Sequence, residues 1–128
     1  MPRQAYYRRL FLVGAIWNWV AAGTFVLGYR LIFPILGMAQ PVYPVFFLMF
    51  LGLCFMFGNG YHWVSRDLTR NHGIVKLGII GKLIVFGGLT WAGLTGQVHL
   101  ILIVPGVVDL VFAVLYLGFL RNFTTPEV

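Results

Sequence analysis

Residues 10–32, 45–64, 74–94 and 100–120 are four apolar runs, each close to the ~20 residues that a helix needs to cross the hydrocarbon core of a bilayer. Lipid cannot hydrogen-bond a bare backbone, so each run must satisfy its own amides as a helix. No other feature constrains the fold as strongly. The 128 residues leave room for four spans and short connections, and nothing larger. Composition agrees: 60% of residues are hydrophobic and only 9% are charged, against roughly 25% charged in soluble domains. That balance excludes a water-soluble globule. It also excludes a disordered chain, which needs low hydrophobicity and high charge. The expected fold class is all-α: an integral membrane four-helix bundle forming one transmembrane domain over residues 1–128.

The connections are marked by breakers. Segment 33–44 carries no charge and contains Pro34, Gly37, Pro41 and Pro44; Pro44 suits the first turn of the next helix. Segment 65–73 is a polar loop, 95–99 a tight turn and 121–128 a short tail. The basic segment 1–9 ahead of an apolar run looks like a secretory signal. The run, however, is longer than the ~7–15 residues of a signal h-region, so it is expected to be retained as the first span.

Lys and Arg number 9 and Asp and Glu 3, a net charge of +6. In a soluble chain that would suggest nucleic acid. Here the bases sit at the ends of the apolar runs, and no nucleic-acid partner is expected. Arg3, Arg8, Arg9, Arg66, Arg70, Lys76 and Arg121 fall on one side, Arg30 lies near the other, and Lys82 is within a span. The positive-inside rule then places both termini and the 65–73 loop in the cytoplasm, an N-in/C-in topology. Tyr6, Tyr7, Tyr61 and Trp63 are expected in an inner aromatic belt, and Tyr29, Tyr43 and Trp91 in an outer one.

Charges within a span are costly and usually face the bundle interior with a partner. Asp109 lies about 16 Å from the cytoplasmic end of its span and Lys82 about 12 Å, at ~1.5 Å per residue. Their spans are joined by a tight turn, so Lys82 is expected to pair with Asp109. Asn18 lies at similar depth in the first span and Asn59 somewhat nearer the cytoplasm in the second. His62 follows Asn59 on the same helical face. Asn18, Asn59, Lys82, Asp109 and His62 thus make a candidate polar layer, with Trp17 as a candidate pocket wall. Such a layer binds a ligand, or it joins helices through hydrogen bonds of about 0.6–2 kcal/mol each. Arg66 and Arg70 are a candidate pair for a lipid headgroup phosphate.

Pro105 is expected to kink the fourth helix one turn before Asp109 and to free the Ile101 carbonyl. Gly14, Gly78 and Gly81 lie near the polar layer, where small residues let helices approach closely. Gly14, Ile16, Val20 and Gly23 match Gly78, Ile80, Ile84 and Gly87 at identical spacing, and Asn18 then falls opposite Lys82. This echo fits either duplication of a helical hairpin or chance among glycine-rich helices.

Several chemistries are unsupported. His62 and His72 lie on the opposite side from His99, so the three cannot make one metal site. Cys54 is the single cysteine, and it sits inside an apolar run. No Ser-His-Asp set is evident, no cofactor is implied and no catalytic residue is assigned. An enzyme acting on lipid or quinone would have only His62 with Asn59 to use.

The motifs YYRxLFLxGxxWN (6–18), SRDxxRNxGIVxLGxxGKL (65–83) and GxxDLVFAVLYLxFLR (106–121) resemble those of uncharacterised small bacterial four-helix integral membrane proteins, broadly DoxX-like in architecture. The resemblance implies a bacterial inner-membrane protein and no reaction. The Gly-Lys-Leu that the DoxX-like group carries in its first span falls here in the third, as Gly81-Lys82-Leu83. Small multidrug transporters need an acidic residue in the first span, which this chain lacks. The functional expectation is a small binding or transport module for a small or lipid-like ligand, with Lys82 and Asp109 at its centre. The alternative is a structural or accessory subunit in which the polar layer only fixes helix register. Expected partners are membrane lipid and further copies or a larger membrane complex.

Overall fold

The computed structural model describes residues 2–123. The elements run in order as α1 (Pro2–Ile35), α2 (Pro44–Arg66), α3 (His72–Leu94), a single 3-10 turn (Leu100–Leu102) and α4 (Ile103–Asn122). Among the described residues there is no strand. All four helices are long and apolar enough to cross a membrane. The expected tail lies outside the described residues from 124 onward.

Helix α1 has 34 residues, so it is about 51 Å long at ~1.5 Å per residue and outruns a ~30 Å hydrocarbon core. Its first turns carry Arg3, Arg8 and Arg9 beyond the apolar run. It also runs through Pro34, which the sequence marked as a breaker. Proline there cannot donate to the Arg30 carbonyl. Gln40 replaces the missing donor, its Nε2 standing 3.0 Å from Arg30 O. The helix stops one turn later at Gly37, whose φ of +69° is the left-handed conformation that closes a helix end. Met38 N–H then bonds Phe33 O at 2.8 Å and Gly37 N–H bonds Pro34 O at 3.0 Å. Helix α3 ends identically at Gly96, with Gln97 N–H on Ala92 O at 2.9 Å. These two glycines turn the chain back on itself and make two helical hairpins, α1–α2 and α3–α4.

The hairpins are joined by a loop built on Asp67. Its carboxylate accepts Thr69 N–H at 3.0 Å and Thr69 Oγ1–H at 2.6 Å. These bonds, helped by Arg70, hold the Asp67 carboxyl below the usual range. Asn71, at φ +64°, then redirects the chain into α3.

Pro105 does not kink α4 from within. The segment before it winds as a 3-10 turn, capped where Ile101 N–H bonds His99 Nδ1 at 3.0 Å. The α-helix begins at Ile103, so Pro105 stands in its first turn. An amide there has no partner inside the helix anyway, and proline is tolerated for that reason.

Each hairpin packs along its length, α1 on α2 and α3 on α4, whereas the backbones of the two hairpins approach closely in few places. The seam is filled by large side chains instead. Phe11, Tyr61, Val64, Val75, Tyr116 and Phe119 are fully enclosed there. Phe11 stacks on Tyr116 with ring centroids 4.6 Å apart, and Tyr61 lies 5.1 Å from Tyr116. Tyr7, Tyr29 and Tyr61 are therefore buried rather than belt residues, while Tyr6, Tyr43, Trp63 and Trp91 are exposed. The outside of the bundle is apolar, with Leu27, Val42 and Ile35 among many exposed aliphatic side chains. In water such continuous apolar surface far exceeds what monomeric proteins expose. In lipid it is the expected solvent-facing surface.

Candidate functional site

The second hairpin supplies the two charges. Lys82 sits mid-way along α3, and only 4% of it is accessible. Asp109 sits two turns into α4. Lys82 Nζ stands 2.8 Å from Asp109 Oδ1. Burying two charges costs several kcal/mol per ion unless pairing is close and the remaining protons are used. Here they are used. Lys82 Nζ also donates to Asn18 Oδ1 at 3.1 Å. The rings of Tyr61 and Phe112 lie 5.3 and 5.1 Å from the ammonium, within cation–π range.

The first hairpin closes the network. Trp17 Nε1–H donates to Asp109 Oδ1 at 3.1 Å, and Asn18 Nδ2–H donates to the Cys54 carbonyl at 2.8 Å. Consecutive residues of α1 thus reach both members of the pair. Asp109 Oδ1 takes two donors, one from each hairpin. Its other oxygen, Oδ2, has no hydrogen-bond partner among the described residues. The Asp109 side chain keeps 14% of its surface accessible. The carboxylate is therefore held firmly by one oxygen and presents the other.

The remaining candidates divide. Asn59 does not reach Lys82: its Oδ1 accepts Trp19 Nε1–H at 3.0 Å, and its Nδ2 lies 3.5 Å from Met56 Sδ. This is a second α1–α2 bridge beside the charged centre. His62 packs against the Trp19 ring with centroids 5.8 Å apart. Arg66 and Arg70 are both exposed; Arg70 lies 3.6 Å from Asp67 and Arg66 is at the end of α2. Trp17 serves as a hydrogen-bond donor to Asp109.

Sequence reasoning missed the aromatic surroundings of the ammonium. Tyr61 and Tyr116 approach the seam because α3 and α1 carry glycine opposite them. A Cβ on Gly78 would overlap the Tyr61 hydroxyl, and a Cβ on Gly14 would overlap the Tyr116 hydroxyl. The Tyr116 hydroxyl is buried without a hydrogen-bond partner among the described residues. The signal was available, since Gly14 and Gly78 are the shared positions of the α1–α3 echo. Gly81 differs: open space surrounds its Cβ position. Among the described residues no group of three or more His, Cys, Asp or Glu side chains is placed to hold a metal ion.

Comparison with known protein families, curated proteins and solved structures finds no match.

Proposed function

We propose that this chain is a small membrane binding or transport module whose charged centre, Lys82 with Asp109, receives a small or lipid-like ligand at the seam between the two hairpins. One observation carries the reading. Asp109 is a partly accessible carboxylate within an apolar helix, anchored through Oδ1 and unpartnered at Oδ2. A residue that only joined helices would be expected to use both oxygens, because an open acceptor in lipid is costly. Ionisable groups within membrane spans are rare and mark substrate or ion pathways. Asn18 and Trp17 orient the pair, and Tyr61 and Phe112 supply apolar walls.

The orientation proposed is N-in/C-in in a bacterial inner membrane, on the side assigned to Arg3, Arg8, Arg9, Arg66, Arg70, Lys76 and Arg121. Arg66 and Arg70 contact lipid headgroups there. The proposed resemblance to uncharacterised small bacterial four-helix membrane proteins, DoxX-like only in broad architecture, rests on the three motifs quoted above. A bundle of this size encloses little volume, so a through-pathway requires further copies.

The structural or accessory reading is supported by a different observation: the Lys82 ammonium is saturated by Asp109, Asn18 and two rings. Native mass spectrometry of protein released from mild detergent separates the two. A retained small molecule or lipid that is lost in Asp109→Asn supports the binding reading. Bare protein, or a ligand retained equally by wild type, Asp109→Asn and Lys82→Met, refutes it.

A further inference from the structure

The contacts across the seam are reciprocal. Gly14 of α1 makes room for Tyr116 of α4, and Gly78 of α3 makes room for Tyr61 of α2. The two tyrosines meet each other at 5.1 Å. Asn18 of α1 meets Lys82 of α3 at 3.1 Å. Each of these last two contacts joins like positions of the two hairpins, as contacts on a two-fold axis must.

The correspondence extends along the helices at constant register. On α1 and α3 it pairs Phe11 with Val75, Gly14 with Gly78 and Asn18 with Lys82, and all six are buried. On α2 and α4 it pairs Phe57 with Phe112, Gly58 with Ala113, Tyr61 with Tyr116 and Val64 with Phe119. Phe57–Tyr61 and Phe112–Tyr116 are the same ring contact one helical turn apart, at 6.1 and 5.8 Å. The exposed faces also agree: Ile16 and Val20 match Ile80 and Ile84, and Arg66 matches Arg121.

The same register pairs Cys54 with Asp109. In the first hairpin, Asn18 bonds the backbone carbonyl of Cys54; in the second, Lys82 bonds the side chain of Asp109. Each centre residue thus bonds the matching position of its own hairpin. Cys54 is partly buried, and its carbonyl is joined to Lys82 through the Asn18 amide.

We infer that the chain is one helical hairpin repeated about a two-fold axis along the bundle, that the Asn18–Lys82 contact lies on this axis, and that position 54 is a second carboxylate seat, equivalent to that of Asp109 and filled here by cysteine. Successive helices alternate in direction, so α1 and α3 run the same way. The repeats are therefore parallel, with the axis along the membrane normal. In repeat-built transporters the interface between repeats is where ligand sites lie.

The test moves the ion pair to the other hairpin in the full chain. The starting variant is Lys82→Asn with Asp109→Cys, which gives the second hairpin the first hairpin's residues. Adding Asn18→Lys buries one uncompensated ammonium; adding Cys54→Asp as well supplies its partner. A register control replaces Cys54→Asp by Phe55→Asp, one position off. Yield of monodisperse protein in mild detergent and its thermal midpoint are read for all variants. The expected result is a loss on adding Asn18→Lys, at least half regained with Cys54→Asp and not with Phe55→Asp. Failure of Asn18→Lys to destabilise overturns the inference. So does a Cys54→Asp chain that recovers no better than the Phe55→Asp control. These readings follow stability alone, so they stand apart from loss of a ligand in the native mass spectra.

Discussion

Replacing Lys82 by methionine removes the ammonium and keeps the length of the stem, so no large cavity is left. The 2.8 Å ion pair, the 3.1 Å bond to Asn18 and two cation–π contacts go together. Asp109 then retains the Trp17 donor alone. Breaking a buried pair on one side costs about 3–5 kcal/mol, chiefly because the other charge is stranded. Asp109 keeps 14% accessibility, so Lys82→Met belongs at the lower end, about 3 kcal/mol. Asp109→Leu strands the ammonium instead, in a residue only 4% accessible, and belongs at the upper end, about 5 kcal/mol. The double variant has no stranded charge and is expected within about 1 kcal/mol of wild type, as when apolar residues replace an ion pair of similar volume. Reversible unfolding in mixed micelles measures all four corners of the cycle. A coupling above the ~1.7 kcal/mol reached by the strongest hydrogen bonds measured within membranes identifies an ion pair. A coupling near zero, or a double variant no better than Lys82→Met, refutes this account of the centre.

Four further outcomes follow from the same packing. Tyr116→Phe deletes a buried hydroxyl that has no partner among the described residues, so the midpoint is expected to hold or rise; a loss above about 1 kcal/mol would reveal a hydrogen bond at that oxygen. Trp17→Phe removes the donor to Asp109 Oδ1 together with ring volume packed against the core, and is expected to cost more than the ~0.6–1.7 kcal/mol of a membrane hydrogen bond alone in the same micelle assay. Gly14→Ala presses a methyl group onto the Tyr116 hydroxyl, which belongs to an enclosed ring unable to swing away; about 1–3 kcal/mol is lost by overpacking. Gly81→Ala, with open space at its Cβ, leaves stability unchanged or improved, and equal losses at both glycines would contradict the seam described here.

The four helices were legible because their signal is cumulative: some twenty apolar residues in succession cannot be placed otherwise in lipid. Single breakers were less legible, since their effect depends on partners distant in sequence. Pro34 does not end α1, because Gln40 satisfies the carbonyl that proline leaves bare. Pro105 does not kink α4, because the helix starts only two residues before it. The Lys82–Asp109 contact could be anticipated from depth and adjacency along one hairpin. Depth alone misplaced Asn59, which lies at nearly the right level but turns toward Trp19 on its own hairpin. Level along the bilayer normal is readable from counting residues, whereas azimuth around each helix is not. Azimuth is set by packing, and in this seam the packing is set by glycines. Gly14 and Gly78 fix which way Tyr116 and Tyr61 point, and each lies one turn from Asn18 or Lys82. Rotating α2 to bring Asn59 toward the charge would carry the Tyr61 hydroxyl out of its notch at Gly78. The glycine notches and the polar centre are therefore one device: the notches set the rotation of each helix, and that rotation decides which polar side chains meet.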